Sequence, residues 1–88
     1  MTEPERRRHP RYPFGRDFEV YAPTSGRIIV SGHDISARGF SFFSRARLTV
    51  GEEIVFEPEP GDDFEVRATV RNIRATRNGF VVGAERHL

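Results

Sequence analysis

The sequence predicts an all-β protein, a small six-stranded antiparallel barrel, and three observations carry that prediction. Apolar residues recur with period two almost throughout, the spacing of strands with one buried face, and helical spacing never persists for three turns. Turn-forming residues interrupt this pattern at short, regular intervals. The chain has 88 residues, enough for one core and too few for a two-sheet sandwich of ordinary size.

The strands can be justified in order. "DFEVYA" sets Phe18 and Val20 on one face, and Pro23 to Gly26 then turn the chain. "RIIVSG" is a β-branched run through Ile28, Ile29 and Val30. "HDISARGF" lies at the next strand junction, and "GFSFFS" places Phe40 and Phe42 on one side. "RARLTVGEEI" turns at Gly51 into a fourth strand around Glu53 to Glu57, and "PEPGDD" breaks the chain. Strand five runs from about Phe64 to Ala75 and strand six is "FVVGAE". Between them "TRNG" predicts a tight hairpin in which Asn78 and Gly79 take positive φ. Val66, Ala68 and Val70 share one parity and Ile73 the other, which predicts a bulge near Asn72 or a strand that curls. Phe14, Phe18, Phe40, Phe42, Phe56, Phe64 and Phe80 are the expected filling. Residues 1–13, polar and punctuated by prolines, read as a flexible arm, with the barrel over residues 14–88. Tyr12 and Phe14 are expected to anchor that arm.

Composition removes several function classes. The formal net charge is +1, so no global basic field draws the chain to DNA or RNA, and no ladder of aromatics is available to stack single-stranded bases. There is no cysteine, hence no disulfide framework or thiolate chemistry. No apolar run approaches a membrane span or a secretory leader. A soluble cytoplasmic protein, without membrane insertion and monomeric, is expected. No nucleophile, base and orienter set suggests an enzyme. His9, His33 and His87 are too scattered for a metal site, and no cofactor is expected. Glu57, Glu59, Asp62 and Asp63 read as a solvated acidic loop.

Two clusters remain. In "HDISARGF", Asp34 and Ser36 alternate with Ile35, so both project from one side while Ile35 points inward, and Gly39 permits a positive φ or a close approach of backbone and ligand. A carboxylate and a hydroxyl so placed can accept donors from a guanine edge, or they can simply cap the amides of a turn. In "RRRHPRYPF" the chain concentrates Arg6, Arg7, Arg8 and Arg11. Arg7 and Arg11 can reach round a small ligand from two sides, pairing with phosphate or stacking on a purine, or the run can be a solvated tail. All fourteen basic residues are arginine, which suits bidentate recognition and is equally the product of a GC-rich genome.

Taken together, Arg7-Arg8-His9-Pro10-Arg11 and Asp34-Ile35-Ser36-Ala37-Arg38-Gly39 resemble the two hallmarks of the PilZ domain family, R-x-x-x-R in an N-terminal arm and [DN]-x-S-x-x-G after the second strand. The resemblance extends from the arm to "FVVGAE", with Gly83 at the place of the family's closing glycine. It implies a six-stranded antiparallel barrel that binds the bacterial second messenger cyclic di-GMP. It further implies that Arg7 and Arg11 grip phosphate and guanine, while Asp34, Ser36 and Gly39 line a base pocket on the barrel surface. By the same resemblance Arg6 occupies a position that in the family influences ligand contacts and stoichiometry, and Arg8 is a candidate further phosphate contact. Departures are the Arg38 where the family more often has glycine, which contacts phosphate or faces water, and the missing aromatic that stacks on guanine in some members, for which Arg74 is the candidate substitute. Little or no C-terminal helix is expected. A lone domain of this kind needs a downstream protein partner. The competing reading is a PilZ-like adaptor for pilus or flagellar motility that binds protein and no nucleotide.

Overall fold

The computed structural model describes residues 12–13 (backbone), 15–56 and 65–87. Seven strands form, β1 (Tyr12–Pro13), β2 (Asp17–Ala22), β3 (Gly26–Ile35), β4 (Gly39–Ser44), β5 (Glu53–Phe56), β6 (Val66–Ala75) and β7 (Phe80–Arg86). Their order in the sheet is β1-β3-β2-β5-β6-β7-β4, and β4 pairs back onto β3. Strands β2 to β7 therefore close into a six-stranded antiparallel barrel. The two-residue β1 lies beside β3 in line with β2. No helix occurs among the described residues.

Alternation builds the core as the sequence expects. β2 buries Phe18, Val20 and Ala22 and exposes the residues between them. Four phenylalanine rings from three strands meet at the centre, with Phe40 and Phe56 edge to face at 4.7 Å, Phe18 and Phe56 at 4.8 Å, and Phe40 and Phe42 stacked at 5.8 Å. Such ring pairs add to the area term that already dominates a small core. Phe80 packs against the cluster from its edge, under the guanidinium of Arg47 at 5.6 Å. Phe14, Phe64 and the acidic loop residues Glu57, Glu59, Asp62 and Asp63 lie outside the described residues.

Two bulges decide which side chains reach the outside. In β6 the register shifts between Val70 and Asn72, so Arg71 is the extra residue. Val66, Ala68 and Val70 face inward before it and Ile73 packs against the core after it. That is the bulge the parity of Ile73 predicts. In β3 the register shifts between Gly32 and Asp34, leaving His33 as the extra residue. Val30 is buried before the shift and Ile35 packs on the core after it, so the bulge is what turns Asp34 outward. β3 is also longer than the sequence suggests, running through Ile35 rather than ending at Gly32.

Two expectations about glycine are corrected. The positive-φ glycines among the described residues are Gly26 (φ 76°) and Gly51 (φ 99°), and no other described residue has positive φ. Residues 76–79 therefore form a four-residue loop rather than a tight positive-φ turn. Thr76 donates its amide to the Gly79 carbonyl at 2.7 Å and its Oγ1 receives the Gly79 amide at 3.1 Å. Gly79 serves by its size: a Cβ there would lie 2.6 Å from the Ser44 carbonyl oxygen and 2.7 Å from Cζ of Phe43. Gly39 likewise is needed for closeness to a neighbour and not for φ, because a Cβ would collide with the Ala84 carbonyl oxygen.

Candidate functional site

The outer wall of β6, β7, β4 and β3 carries one continuous polar row. Asn72 pairs with Gly83, Gly83 with Ser41, Ser41 with Asp34, and Asp34 with Pro13. At ordinary strand spacing the row from Asp34 to Asn72 spans roughly 15 Å. Both of its ends face outward because of the bulges at His33 and Arg71. In its middle, Gly83 leaves a gap that the Asn72 carboxamide enters, the Asn72 Oδ1 lying 2.7 Å from where a Cβ would stand.

Asp34 is half-buried and tethered from its neighbours. Ser41 donates its hydroxyl to Asp34 Oδ1 at 3.0 Å, and the Nδ1 of His33 stands 3.8 Å from Oδ2 and 3.2 Å from the Ser41 hydroxyl. A carboxylate held in this way presents a fixed acceptor edge to an incoming donor. Ser36 behaves differently. It is buried at 8% exposure, and its Oγ receives the amides of Arg38 and Gly39, each at 3.3 Å, while its own amide donates to the Gly39 carbonyl at 2.7 Å. The Ser36 hydroxyl thus closes the turn that carries Arg38 and Gly39, the simpler of the two roles the sequence allows it.

Beside the row lies an open depression of about 320 Å³ lined by Ser36, Arg38, Gly39, Phe40, Arg71, Asn72, Gly83, Ala84 and Glu85. Its rim is charged. Glu85 receives Nε of Arg71 at 2.8 Å and a guanidinium nitrogen of Arg38 at 3.5 Å. The hydrogen bond from Arg71, with its charge, holds the Glu85 carboxyl below the usual carboxylate range, and Arg38 adds to the effect. Arg74 is exposed on the same wall, two residues beyond Asn72 and opposite Val81, outside the lining of the depression.

The arm enters at this wall. Tyr12 pairs with Ile35 and Pro13 with Asp34. In the sequence Arg11 immediately precedes Tyr12 and Arg7 precedes it by five residues. Arg6, Arg7, Arg8 and Arg11 themselves lie outside the described residues. Among the described residues no group of three or more histidines and carboxylates is arranged to hold a metal ion. His87 instead fastens β7 to the barrel, through Glu53 at 3.2 Å and the Thr69 hydroxyl at 2.6 Å.

Sequence reasoning reached Asp34, Ser36, Arg38 and Gly39 and missed Ser41, Arg71 and Glu85. Ser41 and Glu85 occupy outward positions of alternating strands and look like ordinary solvated residues until the register aligns them with Asp34 and Gly39. Arg71 could have been found, since the parity break that marks the bulge points to it.

The described residues thus form a closed antiparallel barrel with a polar row on its outer wall, and β1 joins that wall beside Asp34. The PilZ domain family model matches residues 5–87, and the chain belongs to that family, whose members are receptor and adaptor domains for cyclic di-GMP signalling rather than enzymes. The chain is similar to the solved structure of the Bacillus subtilis inhibitor of motility MotI/DgrA, with 20% identity and a TM-score of 0.68 over 100% of this chain and 46% of that one. It thus spans about half the length of that protein, and at this identity the likeness is one of fold. No curated protein matches the sequence. No helix of the described residues is long and apolar enough to cross a membrane.

Proposed function

We propose that this chain is a cytoplasmic cyclic di-GMP receptor module that orders its arginine arm over the outer wall on binding and signals through a protein partner. The observation that carries this reading is the register Pro13 to Asp34 and Tyr12 to Ile35, which starts the arm beside the carboxylate that would read a guanine. Cyclic di-GMP offers two phosphates and two guanines. Arg7 and Arg11 supply cations for the phosphates and for the O6 and N7 edge, with Arg6 and Arg8 as further contacts, and Asp34 accepts from guanine nitrogen donors. Ser36 acts through the turn it closes, which sets Arg38 and Gly39, and Arg74 is within the same wall to stack on a base. Ordering the arm costs about 1 kcal/mol or more per residue, so affinity depends on several charge-assisted contacts acting together.

The test is calorimetric titration of the purified protein with cyclic di-GMP. Wild type is expected to bind at micromolar concentration or tighter, and Arg7→Ala, Arg11→Ala and Asp34→Ala are each expected to weaken binding roughly 10- to 100-fold, the loss of one charge-assisted contact. A silent wild type would overturn the receptor reading. It would leave Ser36 as the turn cap it already is and the chain as a protein-binding adaptor.

A further inference from the structure

Glu85 stands between two cations that come from opposite sides. It lies on β7 opposite Gly39 of β4 and Thr69 of β6. Arg38 reaches it from the turn before β4, and Arg71 reaches it from the bulge of β6. Two guanidiniums converging on one pair of oxygens is also the way arginines take up a phosphate, because carboxylate and phosphate present the same two-acceptor face. The depression that Arg38, Arg71 and Glu85 line opens beside this pair of contacts. Both guanidiniums are solvent-accessible, with Arg38 at 56% and Arg71 at 59% side-chain exposure. Exposed pairs of this kind bind only weakly and exchange readily for another anion.

We propose that Arg38 and Arg71 form a phosphate cradle that Glu85 occupies in the free protein, so that Glu85 competes with the ligand and sets the affinity of the site. This rests on the receptor reading above and adds to it a phosphate contact on β6 and an internal competitor on β7. A phosphodiester carries one negative charge, as Glu85 does, so binding exchanges one monoanion for another and releases the Glu85 side chain to solvent. The lowered pKa of Glu85, caused first by its hydrogen bond from Arg71, keeps the competitor ionised across the neutral range. Protonation removes it only as the pH falls below the ordinary carboxylate value, so between pH 6 and pH 8 the competition is constant.

The experiment is titration of wild type, Glu85→Gln, Arg71→Ala and the double variant with cyclic di-GMP by calorimetry at two salt concentrations, with thermal unfolding confirming that each variant is folded. Glu85→Gln is expected to bind about three- to tenfold more tightly, with a steeper loss of affinity at high salt, since one more cation is available to phosphate. Arg71→Ala is expected to bind several-fold more weakly, and in its background the Glu85→Gln gain should shrink, because the competitor acts through the cradle. A wild type that binds while Glu85→Gln binds no better overturns the cradle and leaves the receptor reading intact. Binding by Glu85→Gln with a silent wild type supports it. Silence of both overturns the receptor reading and the cradle together.

Discussion

Two glycines facing the same wall are required for different physical reasons. The space beyond Gly39 is filled by the Ala84 carbonyl oxygen, a backbone atom fixed in the β4–β7 ladder that no rotamer can move. Gly39→Ala is expected to force the two strands apart and to lower stability by about 1–3 kcal/mol, the usual cost of overpacking, as read by urea unfolding. The space beyond Gly83 is filled by the Asn72 carboxamide, which can swing outward. Gly83→Ala should therefore lose less stability than Gly39→Ala in the same assay, and equal losses would show that the outer wall is as rigid as the ladder. At this scale the sequence identified the right position at Gly39 and offered a positive φ or the approach of a ligand as its cause, and the structure gives instead the close approach of the β7 backbone. A one-letter code cannot distinguish a glycine kept for its φ from one kept for its size, because the neighbour that fills the space is 45 residues away.

The bulges do at the level of strands what no single residue could. With a continuous period of two, Val30 inward would place Asp34 inward as well, and the residue at His33 breaks that count so that Asp34 faces out and Ile35 faces in. Deleting His33 is expected either to drive the Asp34 carboxylate into the phenylalanine cluster or to slip the β3–β4 register. Either result costs several kcal/mol. Substituting His33→Ala keeps the chain length and is expected to stay within about 1 kcal/mol of wild type. Chemical denaturation of the two variants compares them directly, and a deletion as stable as the substitution would show that the bulge does not set the facing of Asp34. The β6 bulge was legible because apolar residues stand on both sides of it, Val70 before and Ile73 after. The β3 bulge was not, since Ile28, Ile29 and Val30 put apolar residues on both parities before it, so that Ile35 marks no break in the pattern. The β6–β7 loop was misjudged for a related reason. Asn78-Gly79 signals a tight turn by local preference, whereas the bonds from Thr76 and the crowding of Gly79 by Phe43 and Ser44 select a wider one.

For the molecule as a whole, stability concentrates in one aromatic cluster. Phe40 is 1% exposed and touches the rings of Phe18, Phe42 and Phe56. Phe40→Ala is expected to remove about 3–5 kcal/mol, a large share of the roughly 5–15 kcal/mol that holds a small domain folded. Equilibrium unfolding should show a sharply lowered midpoint, and a loss below 1 kcal/mol would mean that the core is not centred on these rings. The barrel itself was legible from end to end because closure needs little more than period-two strands and turns at the right intervals. The wall was legible only in part, since it is assembled by register across four strands and register is not written in any one of them. That same pairing brings the two ends of the fold to one place: Tyr12 sits against Ile35, and the Arg86 amide donates to the Arg38 carbonyl at 2.8 Å. The first and last described strands thus flank a single hairpin bend, so a pair of labels introduced at Tyr12 and His87 would report, through the change in their separation, any occupancy that rearranges that bend.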